Sequence, residues 1–325
     1  MFLNYINNFR GIAIIYIVAG HCISAFQWDN ADSLQKMLKI IFSNGTVLFV
    51  FIAGYLFQHL SGSYNYKRYI NKKILYVILP YVICSIPAII YFTAFVQRWD
   101  LPSHFYEQNI IFQILSFYLS GKHLAPYWFI PMISIYYLIS YVLYYLDGNQ
   151  RLYYSIPLLI IMSSMVSKGG IVDSFFHFFS VYVIGMCFSR YKNAINPFLS
   201  KYQILLINFL LVVVFIYLEY YEIYSSNYLQ KIFLSLFYLS LLYKFDSFFK
   251  NSLSYVADIS FAIYFVHSYI ISGVKLLMLA MAGHYFSPSM ISYAIFSCAI
   301  FLICTLMVTA MKSMLKQYSR YIIGS

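Results

Sequence analysis

The sequence predicts an all-α, polytopic integral membrane protein with about ten transmembrane helices, on the basis of its composition. Of its 325 residues, 62% are apolar and 22% are aromatic, and the mean hydropathy is +0.74. Charged residues make up only 10% of the chain, compared with about 25% in an ordinary soluble domain. Tyr and Phe alone contribute 36 and 31 residues, which excludes a disordered chain.

Apolar runs between charged residues define the candidate spans in chain order. The ten predicted helices cover residues 9–26, 38–60, 74–96, 126–146, 152–166, 174–189, 203–219, 229–243, 257–281 and 288–311. The first is interpreted as a retained helix rather than a signal peptide, since it lacks a small-x-small cleavage site. The fifth and sixth are short for a bilayer, so they are tilted or one of them is re-entrant. The run 109–120 is too short to span and is assigned to an interfacial or re-entrant segment.

The distribution of basic residues predicts that the N- and C-termini are both cytoplasmic. With the N-terminus inside, 14 of the 21 Lys and Arg residues fall on the cytoplasmic side. The other seven fall outside: Lys36, Lys39, Arg98, Lys122, Lys168, Lys231 and Lys275. This bias also explains the net charge of +11, so the charge does not indicate a nucleic-acid partner. With no large soluble segment between the spans, residues 1–325 are interpreted as a single integral-membrane domain.

The cysteines and most of the histidines are expected to have structural rather than chemical roles. The five cysteines lie in or against apolar runs and are interpreted as small buried hydrophobic residues: Cys22, Cys84, Cys187, Cys298 and Cys304. Four histidines are assigned to solvated surface at span ends or in loops: His59, His104, His123 and His284. His177 fits either environment. No HExxH or CxxC spacing occurs, so no metal is expected.

Ionisable residues inside the first span are candidates for function, since a charge at the bilayer centre costs on the order of 2.5–3.5 kcal/mol. Arg10 and His21 are 11 residues apart, which places them on one helical face, roughly 16 Å apart along the axis. Arg10 then lies at the cytoplasmic mouth and His21 well inside the membrane. The structural alternatives are an Arg10 that snorkels to the headgroups and a His21 hydrogen-bonded between helices.

The ninth span carries a second polar face, formed by Ser260, Tyr264 and His267. Measured from the cytoplasmic start of its helix, His267 lies about 15 Å deep and His21 about 18 Å deep. Two helices of the same orientation therefore place a histidine at nearly the same depth. This coincidence predicts an intramembrane site.

Five ordered segments resemble the membrane-bound acyltransferase 3 family. Phe9-Arg10-Gly11-Ile12-Ala13 and His21 match the family's Arg and His with ten residues between them in the first helix. The other matches are FIAGYL at 51–56, Lys72-Lys73 before Pro80-Tyr81, YWFIP at 127–131, and Ile259-Ser260 with Tyr264 and His267. Two departures stand out. Ala53 replaces a usual serine, and the basic loop, which often has two arginines three apart, has Lys73 followed by Tyr76.

The resemblance implies a stand-alone polysaccharide O-acetyltransferase without a fused extracytoplasmic domain. Members move an acyl group, usually acetyl, from cytoplasmic acetyl-CoA to a sugar hydroxyl on an extracytoplasmic glycan. The implied acceptor is a bacterial surface polysaccharide, such as O-antigen or capsule, or its lipid-linked oligosaccharide repeat unit. The implied location is the bacterial cytoplasmic (inner) membrane, in contact with lipid. Acetyl-CoA is then the donor, and no permanently bound cofactor is expected.

The resemblance also suggests catalytic roles. His21 would act as the general base that removes the proton of the sugar hydroxyl, an effect worth about 10²–10⁴-fold in rate. Alternatively, His21 itself accepts the acyl group and passes it outward. His267 and Tyr264 would orient His21 or donate a hydrogen bond to the thioester carbonyl.

Substrate binding is assigned to other residues. Arg10 would pair with the phosphates of CoA through its planar guanidinium. Lys72 and Lys73 would add positive potential around the nucleotide, unless they are ordinary loop charges. Trp128 would stack on a sugar ring, unless it belongs to an interfacial aromatic belt.

Two other classes of protein share this composition. A lipid-linked glycan transporter is expected to show repeated halves or helices broken near the midplane, and neither is evident. A polysaccharide polymerase is expected to have a long outer loop rich in arginine, but the outer loop here contains only Arg98.

Overall fold

The computed structural model describes residues 3–29, 31–43, 45–167, 169–223, 228–249 and 253–325. Within these ranges the ordered elements are all helices and no β-sheet forms, which confirms the all-α class. The helices are α1 Asn4–Cys22, α2 Asp32–Phe42, α3 Thr46–His59, α4 Tyr66–Lys73, α5 Leu79–Ala94, α6 Ile110–Ser120, α7 Phe129–Leu138, α8 Ser140–Gly148, α9 Arg151–Tyr154, α10 Ile156–Met165, α11 Ile171–Arg190, α12 Lys192–Leu199, α13 Tyr202–Tyr220, α14 Tyr228–Lys244, α15 Asp246–Phe249, α16 Ser254–Ala282, α17 Met290–Leu315 and α18 Ser319–Ile322.

Seven stretches of the described chain are helical and long and apolar enough to cross a bilayer. They are Asn4–Ala25, Asp32–His59, Tyr66–Ala94, Ile171–Arg190, Tyr202–Tyr220, Ser254–Ala282 and Met290–Ile322. An eighth is formed if α7 and α8, which are bent by 53°, count as one span. The protein is therefore a multi-pass membrane protein. The other two predicted spans correspond to α9–α10 and α14, and α10 and α14 have only 10 and 17 residues.

The third span differs most from its prediction, because the segment interpreted as a basic loop is a helix. The side chain of Asn65 caps α4 by accepting a hydrogen bond from the Arg68 backbone N–H at 3.0 Å. The helix then continues through a π-helical turn, Ile74–Ile78, into α5. Pro80 follows this turn. Because proline has no backbone N–H, it disturbs the regular helical hydrogen bonds in the turn before it. Lys72 and Lys73 consequently occupy fixed positions on a helix.

Two glycines allow α3 and α11 to pack with their backbones in contact. A Cβ on Gly54 would overlap the backbone of Tyr182, and a Cβ on Gly185 would overlap that of Phe51. Small residues are common at such crossings, because lipid supplies no hydrophobic drive between helices and close packing must replace it. This pair forms a wall beside α1.

Helix α1 packs against α16, and the two run parallel. Gly11 faces the carbonyl oxygen of Leu253, at 3.1 Å from the position of an ideal Cβ. Farther along, the hydroxyl of Tyr293 on α17 donates a hydrogen bond to the Ala19 carbonyl at 2.8 Å. The parallel pairing brings the two polar faces predicted from the sequence into one seam.

The two ends of the chain lie on the same side of the helix bundle. Arg320, in α18, and Arg10, on the first turns of α1, line one cavity. This arrangement agrees with the predicted orientation, whereas the assignment of that side to the cytoplasm stays a prediction.

Several residues have other environments than the sequence suggests. All five cysteines are free thiols, and Cys22 and Cys304 are buried, as predicted. Cys298 is exposed on the outer surface of α17, so the prediction of burial is wrong for this residue. Lys231, assigned to the outer loops, is fully buried, and its Nζ donates hydrogen bonds to the carbonyls of Ile40 and Ile41. Lys168 lies outside the described residues.

We expect Gly54→Ala to destabilise the protein, because a methyl group at this position would overlap the backbone of Tyr182. Overpacking of this kind costs about 1–3 kcal/mol in unfolding free energy. Gly273→Ala is the matched control, since nothing lies within 4 Å of a Cβ at that helical position. The thermal unfolding midpoint in detergent should fall for Gly54→Ala and should not fall for Gly273→Ala. Equal midpoints would contradict the backbone contact of α3 with α11.

Candidate active site

Arg10 is held at the seam between α1 and α16 by a short chain of polar groups. Its Nη2 donates a hydrogen bond to Oγ of Ser260 at 3.3 Å, and its Nη1 donates to Oδ1 of Asn7 at 3.4 Å. Asn7 in turn donates from Nδ2 to Oδ1 of Asp258 at 3.2 Å. The guanidinium is therefore fixed in direction, and it faces a cavity.

This cavity, called here the basic cavity, has a volume of about 540 Å³ and lies between α3, α4, α7 and α16. Five basic residues line it: Arg10, Arg68, Lys72, Lys73 and Arg320. None of the described residues that line it is acidic. The side chains therefore create a positive potential without a counterion in the wall, as is typical of a site for a polyanion.

Helix α4 supplies most of this charge from a single face. Asn65, Arg68, Tyr69, Lys72 and Tyr76 line the cavity at helical spacing. Arg68 is not predicted from the sequence, because a short polar segment predicts a loop, in which residues at this spacing share no face.

Lys73 lies deeper in the same wall. Its Nζ is 4.6 Å from the ring centroid of Tyr137 and 5.2 Å from that of Tyr69. Such cation–π contacts hold an ammonium group in a partly apolar wall. Lys72 and Lys73, predicted as binding residues, thus both face the cavity that Arg10 faces.

The second part of the site is a pair of histidines. The rings of His21 and His267 are 5.2 Å apart between centroids and tilted by 47°. His267 is fully buried, and its Nδ1 donates a hydrogen bond to the Ile263 carbonyl at 3.0 Å. A carbonyl only accepts, so this bond leaves Nε2 of the neutral ring as an acceptor. That Nε2 has no hydrogen-bond partner among the described residues.

His21 differs from His267 in that it is half-buried and lines a second, smaller cavity of about 40 Å³, called here the histidine pocket. Tyr264 and Trp128 line the same pocket. The equal depth of the two histidines, predicted from helical rise, is confirmed by their contact. His21 is thus the imidazole that faces the histidine pocket, and His267 is the more deeply buried of the two.

The two cavities share one wall, formed by Phe49, Phe129 and Phe261. These three residues, called here the phenylalanine wall, separate the cations from His21. Arg10 and His21 lie on opposite sides of the wall, although both belong to α1. A ligand with an anionic head and a slender reactive arm would fit this arrangement.

The comparisons with known proteins agree with this geometry. The family model of the acyltransferase 3 type, described as an acyltransferase domain, matches residues 3–309. The chain belongs to the acyltransferase 3 family. As a member of this family it is a membrane acyltransferase, and the matched region contains every candidate site residue from Arg10 to His267. No curated protein and no solved structure matches the chain.

In this acyltransferase, the loop before α7 forms the floor of the histidine pocket. Gly121 begins the loop with φ +66°, a conformation that favours glycine, and a Cβ there would overlap Trp128. The hydroxyl of Tyr264 donates to the Pro126 carbonyl at 2.6 Å, and that of Tyr127 donates to the Phe265 carbonyl at 2.9 Å. Tyr264 thus directs its hydroxyl proton to Pro126, and its predicted role, to orient His21 or to hydrogen-bond the thioester carbonyl, stays a prediction.

Trp128 follows this loop and stacks on Phe178, with centroids 6.1 Å apart and planes 18° from parallel. Trp128 lines the histidine pocket together with His21, so it is not only a residue of an interfacial aromatic belt. The position agrees with the predicted place of Trp128 in the site.

His123 anchors the same loop, and the prediction of a solvated surface is wrong for it. The residue is fully buried, its Nδ1 donates to the Phe117 carbonyl at 3.1 Å, and Nε2 lies 2.9 Å from Oγ of Ser85. Burial lowers the pKa of His123 to about 4. Sequence could not indicate this environment, because Ser85 belongs to another helix.

The remaining histidines lie away from the site. His104 and His284 are exposed, as predicted. His59 is half-buried beside the ammonium group of Lys192 at 3.0 Å, and His177 is buried, with Nδ1 donating to the Val166 carbonyl at 2.7 Å. Within the described part of the chain, no three His, Cys, Asp or Glu side chains cluster as metal ligands would.

We expect the protein to lose stability in mild acid through His123. Its pKa in the folded state, about 4, lies below the ordinary value of 6.5, so between these values only the unfolded chain takes up the proton. The stabilisation is complete above pH 6.5 and decreases as the pH falls toward 4, by about 2 kcal/mol between pH 7 and pH 5. His123→Gln removes this contribution, and the exposed His104→Gln does not. Thermal midpoints in detergent at the two pH values measure it, and an unchanged pH dependence in His123→Gln would contradict it.

Proposed function

We propose that this membrane acyltransferase is an O-acetyltransferase that moves an acetyl group from cytoplasmic acetyl-CoA to a sugar hydroxyl. The proposed acceptor is a bacterial surface polysaccharide, such as O-antigen or capsule, or its lipid-linked repeat unit. The observation that carries the proposal is the basic cavity, whose described lining contains no acidic residue, separated by a phenylalanine wall from a pair of histidines.

The charge of the basic cavity supports a nucleotide-containing donor such as acetyl-CoA. Arg10, Arg68, Lys72 and Lys73 repel one another when the cavity is empty of anions, and phosphate groups relieve that repulsion. Arg10 is the best oriented of the four, because Asn7 and Ser260 hold its guanidinium at the cavity. A guanidinium presented in this way can bind a phosphate with two parallel hydrogen bonds.

The phenylalanine wall supports a donor whose reactive end is narrow. The end of the pantetheine arm of acetyl-CoA is an unbranched chain that carries the thioester, so it can pass between Phe49, Phe129 and Phe261 while the nucleotide stays with the cations. An apolar wall also keeps water from the thioester, which limits its hydrolysis.

In the proposed reaction, His21 acts as general base. A ring nitrogen of His21 takes the proton of the sugar hydroxyl while the hydroxyl oxygen attacks the thioester carbonyl. The new C–O bond forms, the C–S bond breaks, and the departing thiolate recovers the proton from the imidazolium. A relay through an acyl group on His21 uses the same geometry and stays an alternative.

His267 is proposed to position His21 rather than to touch the substrate. Its Nε2 is an acceptor that lacks a partner among the described residues, and the ring of His21 is its neighbour at 5.2 Å. An N–H of His21 directed at this Nε2 would fix the tautomer and leave the other nitrogen of His21 free for the hydroxyl. Such an arrangement also stabilises the imidazolium that forms during the reaction.

The other pocket residues are proposed to shape the reaction space. Tyr264 forms one side of the histidine pocket, and its hydrogen bond to Pro126 keeps its ring in place. Trp128, held by Phe178, is proposed to contact the sugar ring of the acceptor.

We expect His21→Ala to lower acetyl transfer by about 10²–10⁴-fold, because the general base is lost. Mass spectrometry of the host's surface polysaccharide, together with transfer of labelled acetyl from acetyl-CoA by isolated membranes, measures the change. His284→Ala is the control, since His284 is exposed and lines neither cavity. A deletion strain whose glycan keeps its acetyl group but is shortened or missing from the surface would contradict the proposal and favour a polymerase or transporter.

We also expect the enzyme to prefer acetyl-CoA over hexanoyl-CoA by at least about 10-fold. The histidine pocket, at about 40 Å³, holds only a few non-hydrogen atoms beyond the arm of the donor. Ile17→Gly, which removes a side chain from the pocket wall, should raise the rate with hexanoyl-CoA relative to acetyl-CoA. Equal use of both donors by the unaltered enzyme would contradict a size limit at this pocket.

A further inference from the structure

The segment after α17 is packed into the wall of the basic cavity. Ile323 is 1% exposed, and Sγ of Cys84 donates a hydrogen bond to the Ile322 carbonyl at 3.4 Å. Gly324 has φ +79°, and its Cα lies so close to Phe261 that a Cβ would overlap the ring. The segment therefore has a defined position, and Phe261 connects it with the phenylalanine wall.

Arg320 projects from this segment into the basic cavity and stacks on an aromatic ring. The guanidinium carbon of Arg320 is 4.0 Å from the ring centroid of Tyr76, and the ring of Tyr321 packs against the same tyrosine at 5.5 Å. Stacking restricts the plane of the guanidinium but leaves its N–H groups available at the edge. No carboxylate of the described residues pairs with Arg320.

Through its contact with Tyr76, Arg320 lies beside the basic residues of α4. Lys72, Lys73 and Tyr76 lie on one helical face, because residues three and four apart are neighbours on a helix. Tyr76 itself carries no charge. The positive charge at its position on this face comes from Arg320, about 240 residues later in the chain.

We infer that Arg320, held in place by Tyr76, binds a phosphate group of the acyl donor, and that the segment Ser319–Ile322 is part of the donor site. This inference rests on the proposed use of an acyl-CoA donor. A guanidinium with its plane fixed and its N–H groups free is suited to a phosphate, which accepts two parallel hydrogen bonds. The absence of acidic side chains among the described lining residues leaves the ligand itself as the counterion.

The test is a titration of the full-length protein in detergent with coenzyme A, measured by isothermal calorimetry. We expect Arg320→Ala to raise the Kd for coenzyme A by about 10-fold or more, the usual loss when a charged hydrogen bond is removed. Lys312→Ala is the matched control, because it removes the same charge eight residues earlier, at a position that does not line the cavity. Its Kd should stay within about 2-fold of the unaltered protein.

A second titrant separates phosphate binding from a general effect on the fold. Pantetheine has the arm of coenzyme A but no phosphate, so Arg320→Ala should leave its binding, or its inhibition of acetyl transfer, unchanged. If Arg320→Ala weakened the binding of pantetheine as much as that of coenzyme A, the inference would be overturned. An unchanged Kd for coenzyme A would overturn it as well.

The contact with Tyr76 is tested by a double-mutant cycle. We expect Tyr76→Leu to weaken coenzyme A binding less than Arg320→Ala does, and to have little further effect when Arg320 is already alanine. Independent effects of the two substitutions would show that Tyr76 does not position Arg320.

Failure of this inference is distinguishable from failure of the proposed function. If the unaltered protein does not bind coenzyme A and acetyl transfer is unaffected by His21→Ala, the proposed function is wrong, and the inference falls with it. If the unaltered protein binds coenzyme A and Arg320→Ala binds it equally well, only the role of Arg320 is wrong.

Discussion

The structure depends on one constraint, which is that polar side chains inside a bilayer must find their partners within the protein. The parallel pairing of α1 with α16 meets much of this constraint by bringing polar groups of the two helices together. Near its start the seam contains Arg10 with Ser260, and deeper in the membrane it contains His21 with His267. Gly11 allows the backbones to approach, so the polar groups meet directly. The seam that stabilises the helix pair is therefore also the seam that holds the candidate chemistry.

The phenylalanine wall allows two side chains of one helix, Arg10 and His21, to lie in different environments. Arg10 needs water or anions around it, whereas the proposed general base, His21, would work best where water does not compete with the proposed acceptor hydroxyl. Phe49, Phe129 and Phe261 come from three different helices and close the space between the two cavities. A ligand that occupies both cavities must have an anionic group at one end and a narrow, uncharged group at the other. An acyl-CoA thioester has that form.

The sequence predicts those parts of the site that follow from one helix alone. The shared face of Arg10 and His21 and the depth of His267 depend only on helical rise and rotation, so they could be read without a fold. Arg320 could not be found in this way, because its place beside Tyr76 depends on how the chain returns to α4 after α17. The same applies to His123, whose burial follows from its contacts with Phe117 and Ser85. The basic helix α4 was missed because its polar composition resembles that of a loop.

The basic residues of a polyanion-binding site can come from any part of the chain. Electrostatic attraction depends on the position of a cation in space and on what shields it, not on the residue that precedes it. A tyrosine in the π-helical turn after α4 can therefore take the place of a basic residue, provided that its ring holds an arginine from elsewhere, as the ring of Tyr76 holds Arg320. In the proposed reaction the histidine pair has no such freedom, because proton transfer requires contact between particular atoms. Within one site, the binding groups are thus free to move along the sequence, and the reacting groups are not.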